Sequence, residues 1–272
     1  MINSYNNTII SIIKWVIILY VLLGIGLYFL LNFFLFHPVK LPHNYQYIFD
    51  VPFQEISIPF NKTDTINLVK FLSIKLVTKG AVIYFHGNKG NINRFAKFAD
   101  NFTRQGYEVW MPDYPGYGKS AGARSEEILY QQAALIYSLV AAKFSKDNIV
   151  IYGKSLGSGI AAYIASVKDC KQLILETPYY SIPDLFTYYA PIYPSKLMSQ
   201  YSLPTYQYLQ KVKVPIIVFH GTNDGIIPYS CAFKLQPILK STDQFITIKN
   251  GSHNNLNDFL VFHQKLDSLL KQ

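Results

Sequence analysis

Apolar and polar residues follow two different periods along this chain. Short runs of β-branched and aromatic residues, each bounded by turn-forming residues, predict buried strands. Longer stretches with helical periodicity lie between them and predict helices. The strands are predicted at residues 54–59, 66–74, 81–85, 107–111, 148–152, 171–175, 214–219 and 245–248. Helices are predicted up to about residue 104 and at residues 125–144, 160–167, 229–239 and 256–270.

The order of these elements predicts the fold class. The first two strands, joined by Asn61-Lys62-Thr63-Asp64, indicate an antiparallel hairpin. The later strands alternate with helices, which is typical of a mostly parallel sheet with right-handed crossovers and helices on both faces. We therefore expect one α/β domain over residues 53–272, with a long insertion at about 178–213.

The N-terminal region predicts a membrane anchor. Residues 15–36 contain no charged side chain, and as a helix they would extend about 33 Å, enough for a hydrocarbon core of roughly 30 Å. A cleaved signal peptide is the rival interpretation, but no alanine precedes Ala81 to form a small-residue cleavage site. A buried core helix is a further alternative. Residues 1–14 then form a flank and 37–52 a linker, and with Lys14 before the span and Lys40 after it the charges leave its orientation open.

Composition and charge narrow the class further. The chain has 272 residues, half of them hydrophobic, with 22 Tyr and 19 Phe, which suits one sizeable folded domain. The formal net charge of +9 favours attraction to anionic lipid headgroups. Nucleic-acid binding is not expected, because the lysines are scattered and no recognition motif is present. Cys170 and Cys231 are predicted at opposite ends of the sheet, so we expect two free thiols and no disulfide.

The candidate nucleophile lies in Gly153-Lys154-Ser155-Leu156-Gly157, between a predicted strand and a predicted helix. A G-x-S-x-G sequence in this position places its serine on a sharp, strained turn, and the two glycines let neighbouring backbone pass closely. The helix that follows directs free N–H groups toward the space above the serine. The alternative is a glycine-rich turn whose serine only caps the helix.

A candidate acid and a candidate base follow the serine in the chain. Asp224 and His253 each come just after a predicted strand, so the topology can bring them to Ser155. Asp224 could instead be an Asx-turn residue and His253 a solvated loop residue, and Glu176 is the second candidate acid. Two further residues, His86 and His220, are expected to have structural hydrogen-bonding roles, and Asp113 is expected to shape its turn.

Five motifs in this order resemble those of the α/β hydrolases, over roughly residues 53–270. They are Tyr84-Phe-His-Gly-Asn88, Asp113-Tyr-Pro-Gly-Tyr-Gly118, Gly153-Lys-Ser-Leu-Gly157, His220-Gly-Thr-Asn-Asp224 and Gly251-Ser-His253. The chain looks most like the membrane-anchored abhydrolase-domain subgroup, near monoacylglycerol lipases and serine aminopeptidase-like sequences. The resemblance implies an oxyanion hole formed by the backbone N–H groups of Leu156 and Asn88, and a cap at about 178–213. Lys89 departs from the family, in which a small residue is usual.

The sequence therefore predicts a membrane-anchored serine hydrolase that cleaves carboxylic esters through an acyl-serine intermediate, with lipid-like acyl esters as one candidate class of substrate. The many tyrosines of the cap suit a pocket for acyl chains, although ordinary packing explains many of them equally well. No metal or organic cofactor is expected. Two alternatives stay open: cleavage of amides or thioesters by the same residues, and a catalytically silent protein that binds a lipid or a partner.

Overall fold

One eight-stranded sheet organises residues 2–271, which a computed structural model describes. The strands are β1 His37–Pro38, β2 Phe53–Pro59, β3 Thr65–Phe71, β4 Gly80–Phe85, β5 Lys89–Gly90, β6 Tyr107–Pro112, β7 Ile149–Lys154, β8 Gln172–Glu176, β9 Ile216–Gly221 and β10 Gln244–Ile248. The helices are α1 Ile2–Leu35, α2 Ile92–Phe95, α3 Asp100–Thr103, α4 Glu126–Ala141, α5 Leu156–Val167, α6 Ile182–Tyr189, α7 Ser195–Met198, α8 Thr205–Leu209, α9 Tyr229–Phe233 and α10 Leu260–Lys271.

The strand order across the main sheet is β2-β3-β6-β4-β7-β8-β9-β10. The β2–β3 and β3–β6 pairs are antiparallel, and every other pair in this sheet is parallel. The predicted α/β class with a mostly parallel sheet is therefore confirmed. The central strands β4, β6, β7, β8 and β9 are buried along their whole length, as expected for strands covered on both faces.

Two apolar cores lie on opposite faces of the sheet. On one face α4, α5 and α8 pack through residues such as Ile136, Ile160 and Leu209. On the other face α2, α3 and α10 contribute Phe95, Phe102 and Phe262. The sheet is thus fixed between two layers of helices, and the loops after its parallel strands meet at one edge.

Local sequence explains where several helices begin and end. Ser125 caps α4, since its hydroxyl accepts a hydrogen bond from the N–H of Ile128, and two glutamates occupy the first turn. The helix predicted at 229–239 is wrong in extent: α9 ends at Phe233 and a separate 3₁₀ turn spans Gln236–Ile238. Pro237 lacks the N–H that would continue the helix. The helix predicted to end near residue 104 is divided into α2, a 3₁₀ turn and α3.

The N-terminal helix α1 is long and apolar enough to cross a membrane, judged by length and composition, with the candidate span at Tyr5–Leu30. The segment 37–52 that follows it, expected to be a linker, packs on the domain. Phe36 and Tyr47 are buried in the two cores, and β1 pairs in parallel with β5. The segment that follows α1 is therefore hydrogen-bonded, through the pairing of β1 with β5, to the loop after β4.

Candidate active site

Ser155 lies on a strained turn between β7 and α5. Its φ of 51° and ψ of −119° put a non-glycine residue in a sparsely populated region of backbone space. Glycine is required on both sides: a Cβ on Gly153 would come within 2.5 Å of the carbonyl oxygen of Gly157, and a Cβ on Gly157 within 2.1 Å of that of Phe85. The turn has the geometry of a nucleophile elbow, with the serine held at the N-terminus of α5.

His253 and Asp224 meet Ser155 from two other loops. The Nε2 atom of His253 lies 2.9 Å from the hydroxyl of Ser155, and its Nδ1 atom lies 2.8 Å from Oδ2 of Asp224. All three side chains are buried. This arrangement lets the imidazole accept the serine proton while the carboxylate fixes the tautomer that leaves Nε2 free to accept it. The structure thus brings together the three residues that the sequence singled out.

The Asp224 carboxylate is held in its charged form. Burial acts to raise the pKa of Asp224, but the hydrogen bond and charge interaction with His253 and the N–H of Ile227 outweigh it, so its pKa lies below the ordinary value. Its Oδ1 atom accepts hydrogen bonds from the N–H groups of Ile226 and Ile227 at 2.9 and 2.8 Å. Asp224 therefore forms an Asx-type turn and also contacts the histidine, so both interpretations of this residue describe part of its contacts.

Glu176, the second candidate acid, has different partners. Its buried carboxylate forms an ion pair with Lys154 and accepts a hydrogen bond from the hydroxyl of Tyr152. The ammonium of Lys154 also donates to the backbone carbonyl oxygen of His253, at 3.2 Å. Glu176 is thus the counter-ion of Lys154, and Asp224 is the acid at the imidazole.

The loop after β4 lies against the serine elbow. A Cβ on Gly87 would be 3.6 Å from Cβ of Ser155, so the backbone leading into Asn88 passes beside the nucleophile. The carbonyl oxygen of Asn88 accepts hydrogen bonds from the N–H of His37 at 3.0 Å and from the hydroxyl of Tyr117 at 2.7 Å. These two bonds fix the Asn88–Lys89 peptide group, which is next to the Gly87–Asn88 peptide group that carries the Asn88 N–H.

The histidines at the ends of β4 and β9 have structural partners. His86 contacts the Asp113 carboxylate at 3.2 Å through Nε2 and the Gly87 carbonyl at 2.7 Å through Nδ1. Asp113 also accepts a hydrogen bond from the N–H of Ile92, so it ties the loop after β6 to His86 and to the start of α2. Nε2 of His220 lies 2.9 Å from the carbonyl oxygen of Ile227, in the loop that carries Asp224. These contacts are of the structural kind that the sequence suggested.

In the part of the chain that the structure describes, no hydrogen bond joins either cysteine to Ser155, Asp224 or His253. Cys170 and Cys231 are buried and unpaired, as expected, and burial raises the pKa of the Cys170 thiol to about 12. Among residues 2–271, no group of three or more His, Cys, Asp or Glu side chains is arranged to hold a metal ion.

Sequence reasoning overlooked the contacts of Lys154 and Tyr117. Lys154 stands inside the G-x-S-x-G motif, between a buried strand and a buried helix. A buried ammonium group requires a counter-ion, so this position is a sequence signal for an acidic partner. Tyr117 stands in an aromatic turn with no comparable signal. Its contact with Asn88 depends on how two separate loops pack.

Comparison with known proteins gives a consistent class. A family model described as serine aminopeptidase, S33, matches residues 77–207. An uncharacterized protein of Acanthamoeba polyphaga mimivirus, R595, is 31% identical over 268 aligned residues, covering 85% of this chain and 88% of that protein. The alpha/beta hydrolase domain-containing protein 17C of Xenopus tropicalis is 25% identical over 197 residues, which cover 70% of this chain and 61% of that protein's length.

Solved structures agree on the fold. An esterase of Pyrococcus furiosus, Pf2001, superposes with a TM-score of 0.69 at 14% identity, covering 87% of this chain and 97% of that one. The matching family model and the named relatives identify a serine hydrolase, and the solved structure shows the fold alone. The chain belongs to the α/β-hydrolase superfamily, in its abhydrolase-domain subgroup.

Proposed function

We propose that the protein is a membrane-anchored esterase that cleaves carboxylic esters of lipid-like acyl groups, through the triad Ser155, His253 and Asp224. The observation that carries the proposal is the continuous set of contacts from the Asp224 carboxylate through the imidazole to the Ser155 hydroxyl. A serine hydroxyl is a weak nucleophile at neutral pH, and such contacts are what activate it.

In the proposed reaction the Ser155 oxygen attacks the ester carbonyl carbon while its proton passes to Nε2 of His253. Collapse of the tetrahedral intermediate breaks the bond to the alcohol oxygen, which takes that proton, and leaves an acyl group on Ser155. A water molecule then repeats the sequence: its proton goes to Nε2, its oxygen bonds the acyl carbon, and the acid leaves as Ser155 is protonated again. Asp224 steadies the imidazolium formed in both halves.

The oxyanion is proposed to bind to the backbone N–H groups of Leu156 and Asn88. Two observations support this assignment: Leu156 begins α5 directly after Ser155, and the backbone before Asn88 lies beside the serine. Removing one donor of such a pair typically costs about 3–4 kcal/mol of transition-state stabilisation. The position of the Asn88 peptide is therefore important for turnover.

Membrane anchoring rests on α1. Its candidate span of 26 residues at Tyr5–Leu30 carries one charged side chain, Lys14. A helix of that length exceeds the roughly 20 residues that cross a bilayer. An anchored enzyme meets its substrates at the membrane surface, where esters with long acyl chains are concentrated.

Labelling with a fluorophosphonate probe tests the nucleophile. The full chain in detergent is expected to form a covalent adduct that Ser155→Ala abolishes, with kcat on a short-chain ester lower by on the order of 10⁴ or more. Ser166→Ala is the matched control, because Ser166 lies near the other end of the same helix and donates to the Tyr163 carbonyl. Equal labelling of the Ser155→Ala chain would refute the proposal.

The description of the matching family as serine aminopeptidases favours one competing activity, hydrolysis of amides. Values of kcat/KM for matched ester, thioester and peptide substrates with the same acyl group separate the activities. The hydrolysis of each substrate in the presence of Ser155→Ala gives its background rate. The esterase proposal requires the ester to give the highest kcat/KM after this background has been subtracted.

A further inference from the structure

The cap is held against the N-terminal helix. Here the cap means residues 178–213, and its tip means residues 192–198. The rings of Tyr20 in α1 and Tyr193 in the cap tip stack with centroids 4.7 Å apart and planes 8° from parallel. Two hydrogen bonds cross the same contact, from the Tyr20 hydroxyl to the Ile192 carbonyl at 2.9 Å and from the Tyr193 hydroxyl to the Tyr20 carbonyl at 3.2 Å. The part of α1 that follows Tyr20 therefore packs beside the cap, in addition to the connection to the domain at the C-terminal end of the helix.

A glycine in α1 makes this contact possible. A Cβ on Gly24 would lie 3.0 Å from Cε1 of Tyr193, tighter than ordinary van der Waals contact. A Cβ on Gly26, two residues further along the same helix, would meet nothing within 4 Å. Tyr20, Gly24 and Leu27 lie on one helical face, as their spacing requires, and Leu27 packs against the cap cluster that Phe186, Tyr193 and Met198 form.

The length of α1 decides where the cap tip lies. The contacts with the cap that the structure describes begin at Tyr20, and residues 5–19 of the candidate span, which precede them, extend about 22 Å as a helix. A hydrocarbon core is roughly 30 Å thick. If α1 crosses a bilayer, about one and a half turns beyond Leu19 must also lie in the apolar layer, and the cap tip lies there with them.

The surface of the cap tip fits that location. Ile192 is 70% exposed and Leu197 is 83% exposed, an unfavourable arrangement in water but a suitable one among lipid tails. Lys196, between them in sequence, is exposed on a stem long enough to reach the headgroup level, where anionic lipids complement its charge and the net charge of +9.

Between α1 and the cap tip lies an apolar groove with a volume of about 300 Å³. Val21, Ile25 and Phe29 form its wall on α1, and Pro194 and Met198 form its wall on the cap. The groove is continuous with the apolar surface of α1, most of which is exposed. In a membrane, the groups that surround such a groove are hydrocarbon chains.

We propose that the cap tip lies within the membrane and that the groove between it and α1 binds an acyl chain of a bilayer phospholipid. This inference rests on the membrane-anchored part of the proposed function and is independent of the chemistry at Ser155. It makes the cap a membrane-embedded element that holds a lipid chain beside the helix.

Photo-cross-linking of the full chain in vesicles tests the inference. The vesicles consist of phosphatidylcholine and phosphatidylglycerol and include a phosphatidylcholine with a diazirine in the middle of one acyl chain. After irradiation, cross-linked residues are mapped by mass spectrometry. We expect cross-links at residues 192–198 as well as on α1. Cross-links on α1 alone would overturn the proposal, and this wild-type result decides it even if a variant fails to fold.

Two glycine variants provide the matched comparison. Gly24→Leu displaces the Tyr193 ring and should lower cross-linking of the cap tip by about tenfold, equivalent to about 1.4 kcal/mol of chain binding. Gly26→Leu should leave it unchanged, and an equal loss in both variants would contradict the role of the groove. Fluorophosphonate labelling in detergent reports separately on folding and on Ser155. Failure of the wild-type chain to float with vesicles would refute the anchor and the groove together, whereas flotation without cap-tip cross-links refutes the groove alone.

Discussion

Lys154 donates a hydrogen bond from its ammonium group to the backbone carbonyl oxygen of His253, at 3.2 Å. The residue before the candidate nucleophile thus contacts the backbone of the candidate base. The same ammonium pairs with Glu176, and both side chains are buried. The ion pair therefore connects the elbow, the end of β8 and the histidine loop, and we expect it to position His253 as well as to stabilise the fold.

The first prediction concerns Lys154→Met, which leaves the Glu176 carboxylate buried without its counter-ion. Breaking a buried pair by removing one partner typically costs about 3–5 kcal/mol, so the free energy of unfolding should fall by that order. Denaturant unfolding of the full chain in detergent measures it.

The double variant Lys154→Met/Glu176→Gln separates stability from positioning. With both charges removed, most of the lost stability should return. The contact with the His253 carbonyl is still missing, so kcat on a short ester should stay about tenfold or more below wild type, because small misplacements of a catalytic group are costly. Full recovery of kcat would show that Lys154 contributes stability only.

A second prediction identifies the acid of the triad. Asp224→Asn keeps the shape of the side chain but supplies no charge for the imidazolium and disturbs the histidine tautomer, so kcat should fall by about 10⁴. Asp258→Asn is the control, since Asp258 is an exposed carboxylate five residues after His253. Steady-state kinetics of both variants with one ester provides the measurement. A loss below tenfold in Asp224→Asn would mean that another group orients the histidine.

Sequence alone predicts the features that depend on chain order. The fully buried β4 and β7 are continuous apolar runs, and the order of Ser155, Asp224 and His253 after three separate strands, β7, β9 and β10, is visible in the linear chain. Because parallel strands bring their carboxyl ends to one edge, the topology carries those three loops together. Pairing of the side chains then follows from the fold.

Contacts between distant loops escape such reasoning. Lys154 and the His253 carbonyl are 99 positions apart, and Tyr117 and the Asn88 carbonyl are 29 apart. The pairing of β1 with β5 is equally invisible, because a two-residue strand carries no periodic signal. The stacking of Tyr20 on Tyr193 depends on how the cap folds back, which no local pattern encodes.

A third prediction concerns the loop that carries Asn88. Tyr117→Phe removes the hydroxyl that donates to the Asn88 carbonyl at 2.7 Å, leaving the N–H of His37 as the remaining donor of the two. The Asn88 carbonyl belongs to the peptide group next to the one that carries the Asn88 N–H, so its loss of a partner acts on that N–H through the adjoining backbone. A lost hydrogen bond of this kind is worth about 0.5–1.5 kcal/mol, so kcat should fall by about three- to tenfold if the Asn88 N–H is an oxyanion donor.

The matched control for this loop is Tyr137→Phe. The Tyr137 hydroxyl donates to the Asp169 carbonyl, which lies just before β8 at the opposite edge of the sheet. Both variants remove one hydroxyl from a tyrosine bonded to a backbone carbonyl, so their effects on stability should be similar. Only Tyr117→Phe should change kcat. Equal kcat values for the two variants would argue against Asn88 as an oxyanion donor.

The fourth prediction is a dependence of stability on pH that originates at His220. Burial lowers the pKa of His220, and the Asp224 carboxylate 3.5 Å away, which acts in the opposite direction, does not compensate for it. In the unfolded chain this histidine takes up a proton below about pH 6.5, whereas in the folded protein it stays neutral to lower pH. The unfolded state therefore binds more protons in that range, and the free energy of unfolding should fall as the pH drops below about 6.5, by at most about 1.4 kcal/mol per pH unit for one proton.

His220→Gln keeps an N–H for the Ile227 carbonyl but cannot titrate, so its unfolding free energy, measured with urea at pH 5, 6 and 7, should change less than that of wild type. His43→Gln replaces an exposed histidine and should retain the wild-type slope; parallel curves for His220→Gln and wild type would assign the acid sensitivity to other groups.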